Sequence, residues 1–332
     1  MMTHLLEVEH LAVSFGHGER AVPAVLDVTF EVDAGELVCI VGESGSGKSV
    51  TAKTVLGLTR LQGATVAGAV RFDNHDLLDA GEKHLRSVRG AQIGFVFQDA
   101  MNALDPVQRV GAQIVEQLRV HRPLSRWAAR QESVALLARA GIPDPATRAR
   151  AYPHQLSGGL CQRVMIAIAL ACGPRLIIAD EPTTALDVTI QAQVLVELRR
   201  LCREDGIGVL LITHDLGVVA EVADRVVVMY AGRIVEQGTV AQVFTRPLHP
   251  YTVGLLRSMP RIDRPREATL QAIAGTPSSA AVAGEGCSFA PRCPHRFAAC
   301  TALPPLTQID DGGGHTARCW LDSSALPVTE AP

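Results

Sequence analysis

The sequence predicts an α/β core built round a phosphate-binding loop, with an antiparallel β-subdomain, a helical insert and a small Cys-rich C-terminal extension. Three observations predict it. Gly42-Glu43-Ser44-Gly45-Ser46-Gly47-Lys48-Ser49 reads G-x-x-x-x-G-K-S and lies between an apolar run, Leu37 to Val41, and a helical stretch from Val50 to Leu58. Later apolar runs, Leu176 to Ala179 and Val209 to Ile212, alternate with helical patterns, as buried parallel strands do. Cys287, Cys293, Cys300 and Cys319 crowd together near the C-terminus.

The bulk numbers set the limits. A chain of 332 residues, 47% hydrophobic and 20% charged, has enough apolar side chains for a real core. A net charge of −3 gives no electrostatic case for nucleic acid as the main partner. No apolar run approaches the ~20 residues that span a bilayer. The first residues, Met1-Met2-Thr3-His4-Leu5, lack the basic region and apolar core of a signal peptide. The expectation is therefore a cytoplasmic chain that meets a membrane only through partner subunits.

In order, Leu6 to Leu11 and Val25 to Val32 alternate with period two and predict antiparallel strands. Phe15 falls in the turn between them, where an aromatic can stack on adenine; a core phenylalanine is the alternative. Thr65 to Asp73 reads as another hairpin strand, and Ile93 to Gln98 as a strand ending in a polar side chain. From 107 to 172 the pattern is helical, over Ala112 to Arg119, Ala128 to Ala140 and Cys161 to Cys172. Strand, helix and strand then return: Arg175 to Pro182, Thr189 to Glu204 and Gly208 to His214. Val226 to Tyr230 and Arg233 to Gly238 flank Ala231-Gly232 as a hairpin. Beyond about 245, Pro247, Pro250, Pro260 and Pro265 and a small-residue stretch from Gly275 to Gly286 make a linker to the cysteines, and Ser323 to Pro332 read as a frayed end. The expected segments are 1–98, the first part of the core; 99–172, the helical subdomain; 173–245, the second part of the core; and 246–332, the extension.

Chemistry concentrates at a few places. The glycines let backbone N–H groups curl round a phosphate, and the start of the helix at Val50 adds its partial positive charge. Lys48 would reach the β- and γ-phosphates, and the Ser49 hydroxyl would hold Mg²⁺. Asp180 and Glu181 follow a buried strand. Asp180 would bind Mg²⁺, directly or through water, and Glu181 would polarise the water that attacks the γ-phosphate. Gln98 can ligand Mg²⁺ or orient water. His214 can hydrogen-bond a γ-phosphate; a capping or surface histidine is the alternative. Ser157-Gly158-Gly159 opens a helix and makes a second anion site, best explained if it closes on another subunit's nucleotide.

Six motifs in order, at 42–49, Gln98, 156–160, Asp180-Glu181, Ala185-Leu186-Asp187 and His214, resemble the ATP-binding cassette of an ABC transporter over roughly residues 5 to 245. Leu160 departs from the usual glutamine of the signature segment, at a position that varies among relatives. The resemblance implies a P-loop ATPase core with ATP and Mg²⁺ as ligands. It also implies head-to-tail pairing of two cassettes, with Ser157, Gly158 and Gly159 on the partner's γ-phosphate and Asp187 in the segment that communicates across the pair. Gln98-Asp99-Ala100-Met101-Asn102, Gln162-Arg163-Val164-Met165, Pro182 to Gln193, His249-Pro250-Tyr251-Thr252 and Arg292-Cys293-Pro294 narrow it to the importers of oligopeptides, dipeptides and nickel. The implied partners are a second ATPase subunit, favoured as a sister chain, two membrane permease subunits and, indirectly, an extracytoplasmic solute-binding protein. The implied place is the cytoplasmic side of the inner membrane. A nickel importer subunit is the nearest alternative, and a soluble non-transport ABC ATPase or an ATP-holding regulatory module are the others.

The tail cysteines are separated by five, six and eighteen residues. Four thiolates could hold an iron–sulfur cluster or Zn²⁺, with His295 and His315 as alternative ligands, and free thiols remain a third reading. The missing C-x-x-C knuckles favour iron–sulfur, and the resemblance implies a [4Fe-4S] cluster, carried by some members of the group. A metal would staple a segment too small to build its own core.

Overall fold

The computed structural model of the chain describes residues 4–183, 186–259, 273–276, 286–308 and 314–321. Thr184, Ala185, Pro260, Pro265, most of the small-residue stretch and the C-terminal end lie outside them. The strands, in order, are β1 (Leu6–Phe15), β2 (Val22–Val32), β3 (Leu37–Val41), β4 (Ala64–Phe72), β5 (His75–Asp76), β6 (Ile93–Val96), β7 (Leu176–Asp180), β8 (Gly208–Thr213), β9 (Arg225–Tyr230), β10 (Arg233–Thr239), β11 (Thr307–Gln308) and β12 (Thr316–Ala317). The chain divides into two compact units, Met1–Leu5 with Val32–Leu37 and Asp79–Ile212, and Leu6–Glu31 with Val38–Leu78 and Thr213–Pro332.

In the first unit β6, β7 and β8 are parallel, with Ile93 opposite Leu176 and Leu176 opposite Gly208. All three are buried along their whole length, as expected of strands covered on both faces. The helical insert packs the helices Val110–His121, Arg126–Arg139 and Gly158–Leu170 against one another. Their inward residues Ile114, Leu118, Leu137 and Val164 are sealed from solvent. The last helix also lies on β6. Gly94 permits that approach, because a Cβ there would stand 2.5 Å from the Ala169 carbonyl oxygen.

In the second unit β2, β1, β4 and β5 form a sheet in that order, with β4 antiparallel to both β1 and β5. β1 runs against β4 from Leu6 opposite Phe72 to Phe15 opposite Ala64, so Phe15 ends a strand and does not lie in the turn. Its register shifts between Glu9 and Ala12. There Gly68 takes φ +100°, and a Cβ on it would stand 2.5 Å from the His10 carbonyl oxygen. The buried strand β3 pairs in parallel with β9, Val38 opposite Arg225, and β9 returns antiparallel as β10. Ala231 and Gly232 both have positive φ, the geometry of a two-residue turn between right-twisted strands. β12 pairs along β10, and β11 along β12, so the extension adds strands to the core sheet.

Candidate functional site

The phosphate loop leaves the carboxyl end of β3 and enters the helix Lys48–Val55. Gly42, Gly45 and Gly47 stand at φ +150°, +80° and +100°. A Cβ on Gly42 would strike the Met229 carbonyl, and one on Gly47 would stand 2.7 Å from the Ala24 carbonyl oxygen. Side chains at these two points are thus excluded by neighbouring backbone as well as by conformation. The ammonium of Lys48, 5% exposed, donates to the Gly42 carbonyl at 2.7 Å and the Glu43 carbonyl at 2.9 Å. The Ser46 hydroxyl is buried with no partner, an orphaned donor inside an anion-shaped cradle. These features fit a polyphosphate: backbone N–H groups free of Cβ atoms, a buried cation and an unsatisfied hydroxyl. Ser49 and Val50, half-buried, follow in the first turn of the helix, and Ser44 is exposed. Phe15, half-buried, and His214, exposed just after β8, belong to the same unit.

The other unit holds the carboxylates. Asp180 ends β7 and is 1% exposed. Glu181 follows at φ +47°, its N–H bonded to the Ile212 carbonyl at 2.9 Å. The left-handed backbone turns its side chain away from the line of the strand, and the Gln98 amide donates to its carboxylate at 3.0 Å. Asp180 and Gln98 carry oxygen donors of the kind a hard divalent cation takes, and so, in the other unit, does Ser49.

The signature segment forms a second cradle in that unit. Ser157 caps the helix Gly158–Leu170, its hydroxyl accepting from the Leu160 N–H at 3.4 Å. Asp187 caps the helix Val188–Asp205 by accepting from the Ile190 N–H at 2.9 Å. Ser157, Gly158, Gly159 and Asp187 line one open cavity of about 470 Å³. Between the helices Val110–His121 and Arg126–Arg139 runs a groove of about 970 Å³ edged by Arg109, Arg119, Arg126, Arg130 and Arg150.

Two residues that touch the loop lie outside its sequence motif. Tyr251 accepts the Glu43 N–H at 2.8 Å, and Arg292 forks onto the Glu43 carboxylate at 2.6 and 3.0 Å. The stretches containing them mark the subfamily in the sequence; nothing there marks them as neighbours of the loop.

The described residues lend no support to the metal expectation for the tail. Cys287, Cys293, Cys300 and Cys319 do line one small cavity, together with His295. Yet among the described residues no group of three or more His, Cys, Asp or Glu side chains is arranged to hold a metal ion. Burial raises the pKa of Cys287 and Cys293 and pushes Cys319 up to about 11. Backbone donors also tie them down, as where the Leu321 N–H meets the Cys319 Sγ at 3.4 Å. His315 is elsewhere, its Nε2 on the buried Glu236 carboxylate at 2.9 Å. Protein contacts anchor the extension: His315 to Glu236, Arg318 to Asp27 at 3.1 Å, and Arg292 to Glu43.

The chain is similar to known proteins over most of its length. Residues 25–184 match the family described as ABC transporter, and residues 235–300 match the oligopeptide/dipeptide transporter C-terminal region. The dipeptide transport ATP-binding protein DppD of Bacillus subtilis is 49% identical over 96% of this chain and 95% of its own. The oligopeptide transport ATP-binding protein OppD of Salmonella typhimurium is 46% identical over 93% of this chain and 91% of its own. Among solved structures, the dimeric post-hydrolysis state of the ATP-binding cassette MJ0796 bound to ADP and Pi aligns with a TM-score of 0.64 at 31% identity, over 71% of this chain and 98% of that one.

Proposed function

Because this chain belongs to the oligopeptide and dipeptide group of ABC transporter ATP-binding subunits, we infer that it binds ATP at Gly42–Ser49 and hydrolyses it to drive peptide import. The observation that carries the reading is the phosphate cradle itself, with Lys48 buried against carbonyls and the Ser46 hydroxyl unpartnered. Lys48 and the loop N–H groups take the β- and γ-phosphates, and Phe15 stacks on the base. Ser49, Asp180 and Gln98 hold Mg²⁺, which supplies charge neutralisation on the phosphates. Glu181 accepts a proton from the attacking water, Gln98 orients it and His214 hydrogen-bonds the γ-phosphate.

Ser157, Gly158, Gly159 and Asp187 meet a nucleotide held by a second cassette, in this reading a sister chain. Their outward placement round an open cavity supports that role, as does the dimeric state of the similar cassette MJ0796. Two membrane subunits dock cytoplasmic helices on the helical insert. Val107, Val120 and Trp127 are 80%, 70% and 72% exposed on it, large apolar side chains that a partner could cover. Among the described residues no helix is long and apolar enough to cross a membrane, which suits a peripheral subunit on the cytoplasmic face. A solute-binding protein on the other face selects the peptide. DppD and OppD, both similar to this chain, are by name peptide transport proteins, which favours peptides over nickel.

The test is reconstitution in vesicles with the two membrane subunits, the second cassette and the binding protein. Peptide accumulation that requires ATP and disappears with Glu181→Gln supports the assignment. ATP-driven uptake of nickel without peptide uptake overturns it.

A further inference from the structure

We propose that Arg292 and Tyr251 are positioning residues for the phosphate loop, so that the C-terminal extension sets the affinity of the cassette for nucleotide. The proposal rests on the reading of Gly42–Ser49 as the ATP site. Glu43, the second residue of the loop, is held at three points. Its N–H donates to the Tyr251 hydroxyl at 2.8 Å, its carbonyl accepts from Lys48 at 2.9 Å, and its carboxylate takes both terminal nitrogens of Arg292 at 2.6 and 3.0 Å. Two of these three holds come from the extension, from positions 208 and 249 residues away in the chain.

The clamp is rigid. The Arg292 side chain is 6% exposed. Its remaining donors reach the Ala274 carbonyl at 2.9 Å and the Ile273 carbonyl at 3.3 Å. The guanidinium lies over the rings of Tyr230 and Phe289, 5.7 and 6.0 Å from their centroids. Tyr251 is fully buried, with its ring centroid 4.7 Å from Tyr230 and 5.4 Å from Phe289.

Two physical consequences follow for phosphate binding. A loop with three glycines at positive φ has little stiffness of its own. Fixing Glu43 by side chain and backbone orders the first turn before nucleotide arrives, which lowers the ordering cost of binding. A carboxylate at the second position of an anion-binding loop also repels a triphosphate, and the fork from Arg292 offsets that charge.

The test is titration of the full chain with Mg-ATP by calorimetry, in wild type, Arg292→Met, Arg292→Lys, Glu43→Gln and the double variant Arg292→Met/Glu43→Gln, with Lys48→Ala alongside. Losing the fork should raise the Kd for Mg-ATP about tenfold in Arg292→Met. Arg292→Lys, which keeps the charge and loses the fork, should fall between Arg292→Met and wild type. Because one contact is being removed from either side, the double variant should bind no more weakly than Arg292→Met. Amide exchange at residues 42–47 should quicken in the same variants. Unchanged affinity in both single variants, or effects that multiply in the double variant, overturns the proposal. If Arg292→Met does not fold, amide exchange at residues 42–47 in Glu43→Gln decides alone, because it reads the ordering of the loop apart from the charge, and wild-type exchange there refutes the clamp. Failure of the underlying site reading looks different: Lys48→Ala would then bind Mg-ATP as tightly as wild type.

Discussion

The Gln98 side-chain amide donates to the Glu181 carboxylate at 3.0 Å, and Glu181 stands at φ +47°. The carboxylate that would activate water is thus held by the residue that would orient it. Replacing Glu181 by Gln removes the proton acceptor while keeping the shape. ATP turnover should drop by about 10²–10⁴-fold and ATP binding should persist. Single-turnover hydrolysis and equilibrium binding, measured on one sample, check this; normal turnover would refute the role of Glu181.

Lys48 spends its donors on the Gly42 and Glu43 carbonyls. Lys48→Ala deletes the buried cation next to the phosphates, so the Kd for Mg-ATP should rise at least about tenfold, or ~1.4 kcal/mol. Calorimetry reads it directly, and wild-type affinity would remove Lys48 from the site.

Gly42→Ala places a methyl group against the Met229 carbonyl at a φ that side chains rarely adopt. A loss of about 2–4 kcal/mol in folding stability is expected, together with weakened nucleotide binding. Urea unfolding of the variant should show a lower midpoint; an unchanged midpoint would mean that the loop yields easily.

His249 is buried, caps the helix Pro250–Arg257 by accepting from the Tyr251 N–H at 3.1 Å, and has its pKa driven down to about 3 by burial. Between about pH 6.5 and about 3 the unfolded chain therefore binds a proton that the folded chain does not. Stability conferred by the neutral ring is complete above that window and is lost as pH falls through it. His249→Asn keeps a capping acceptor and removes the titration, so its stability should fall less steeply from pH 7 to pH 4. Equal slopes for the two proteins would reject this linkage.

Much of the fold was legible because it is written locally. The apolar run Leu37 to Val41 followed by the glycine motif gave β3 and the loop, and the four-residue spacing of Ile114 and Leu118 gave an insert helix. Phe15 was misjudged because strand alternation fades near its end, so β1 ran further than its pattern. The loop's contact with Arg292 was invisible, since no periodicity links residues 249 positions apart. The tail thiols are a case of the opposite kind. Their spacing is visible in the sequence, whereas the burial that raises the Cys319 pKa is a property of the folded surroundings.

β12 lies along β10 with Ala317 opposite Glu236 and Thr316 opposite Gln237. A chain trimmed to the cassette alone, ending after Thr245, would lose that neighbour. The outer side of β10 would become a bare strand edge flanked by Ile234 and Val235, open to pairing with other copies. Glu236 would at the same time lose the His315 imidazole and the N–H groups of Leu248 and His249. The extension is therefore also a guard against edge-to-edge aggregation, and the isolated cassette should precipitate where the full chain stays dispersed.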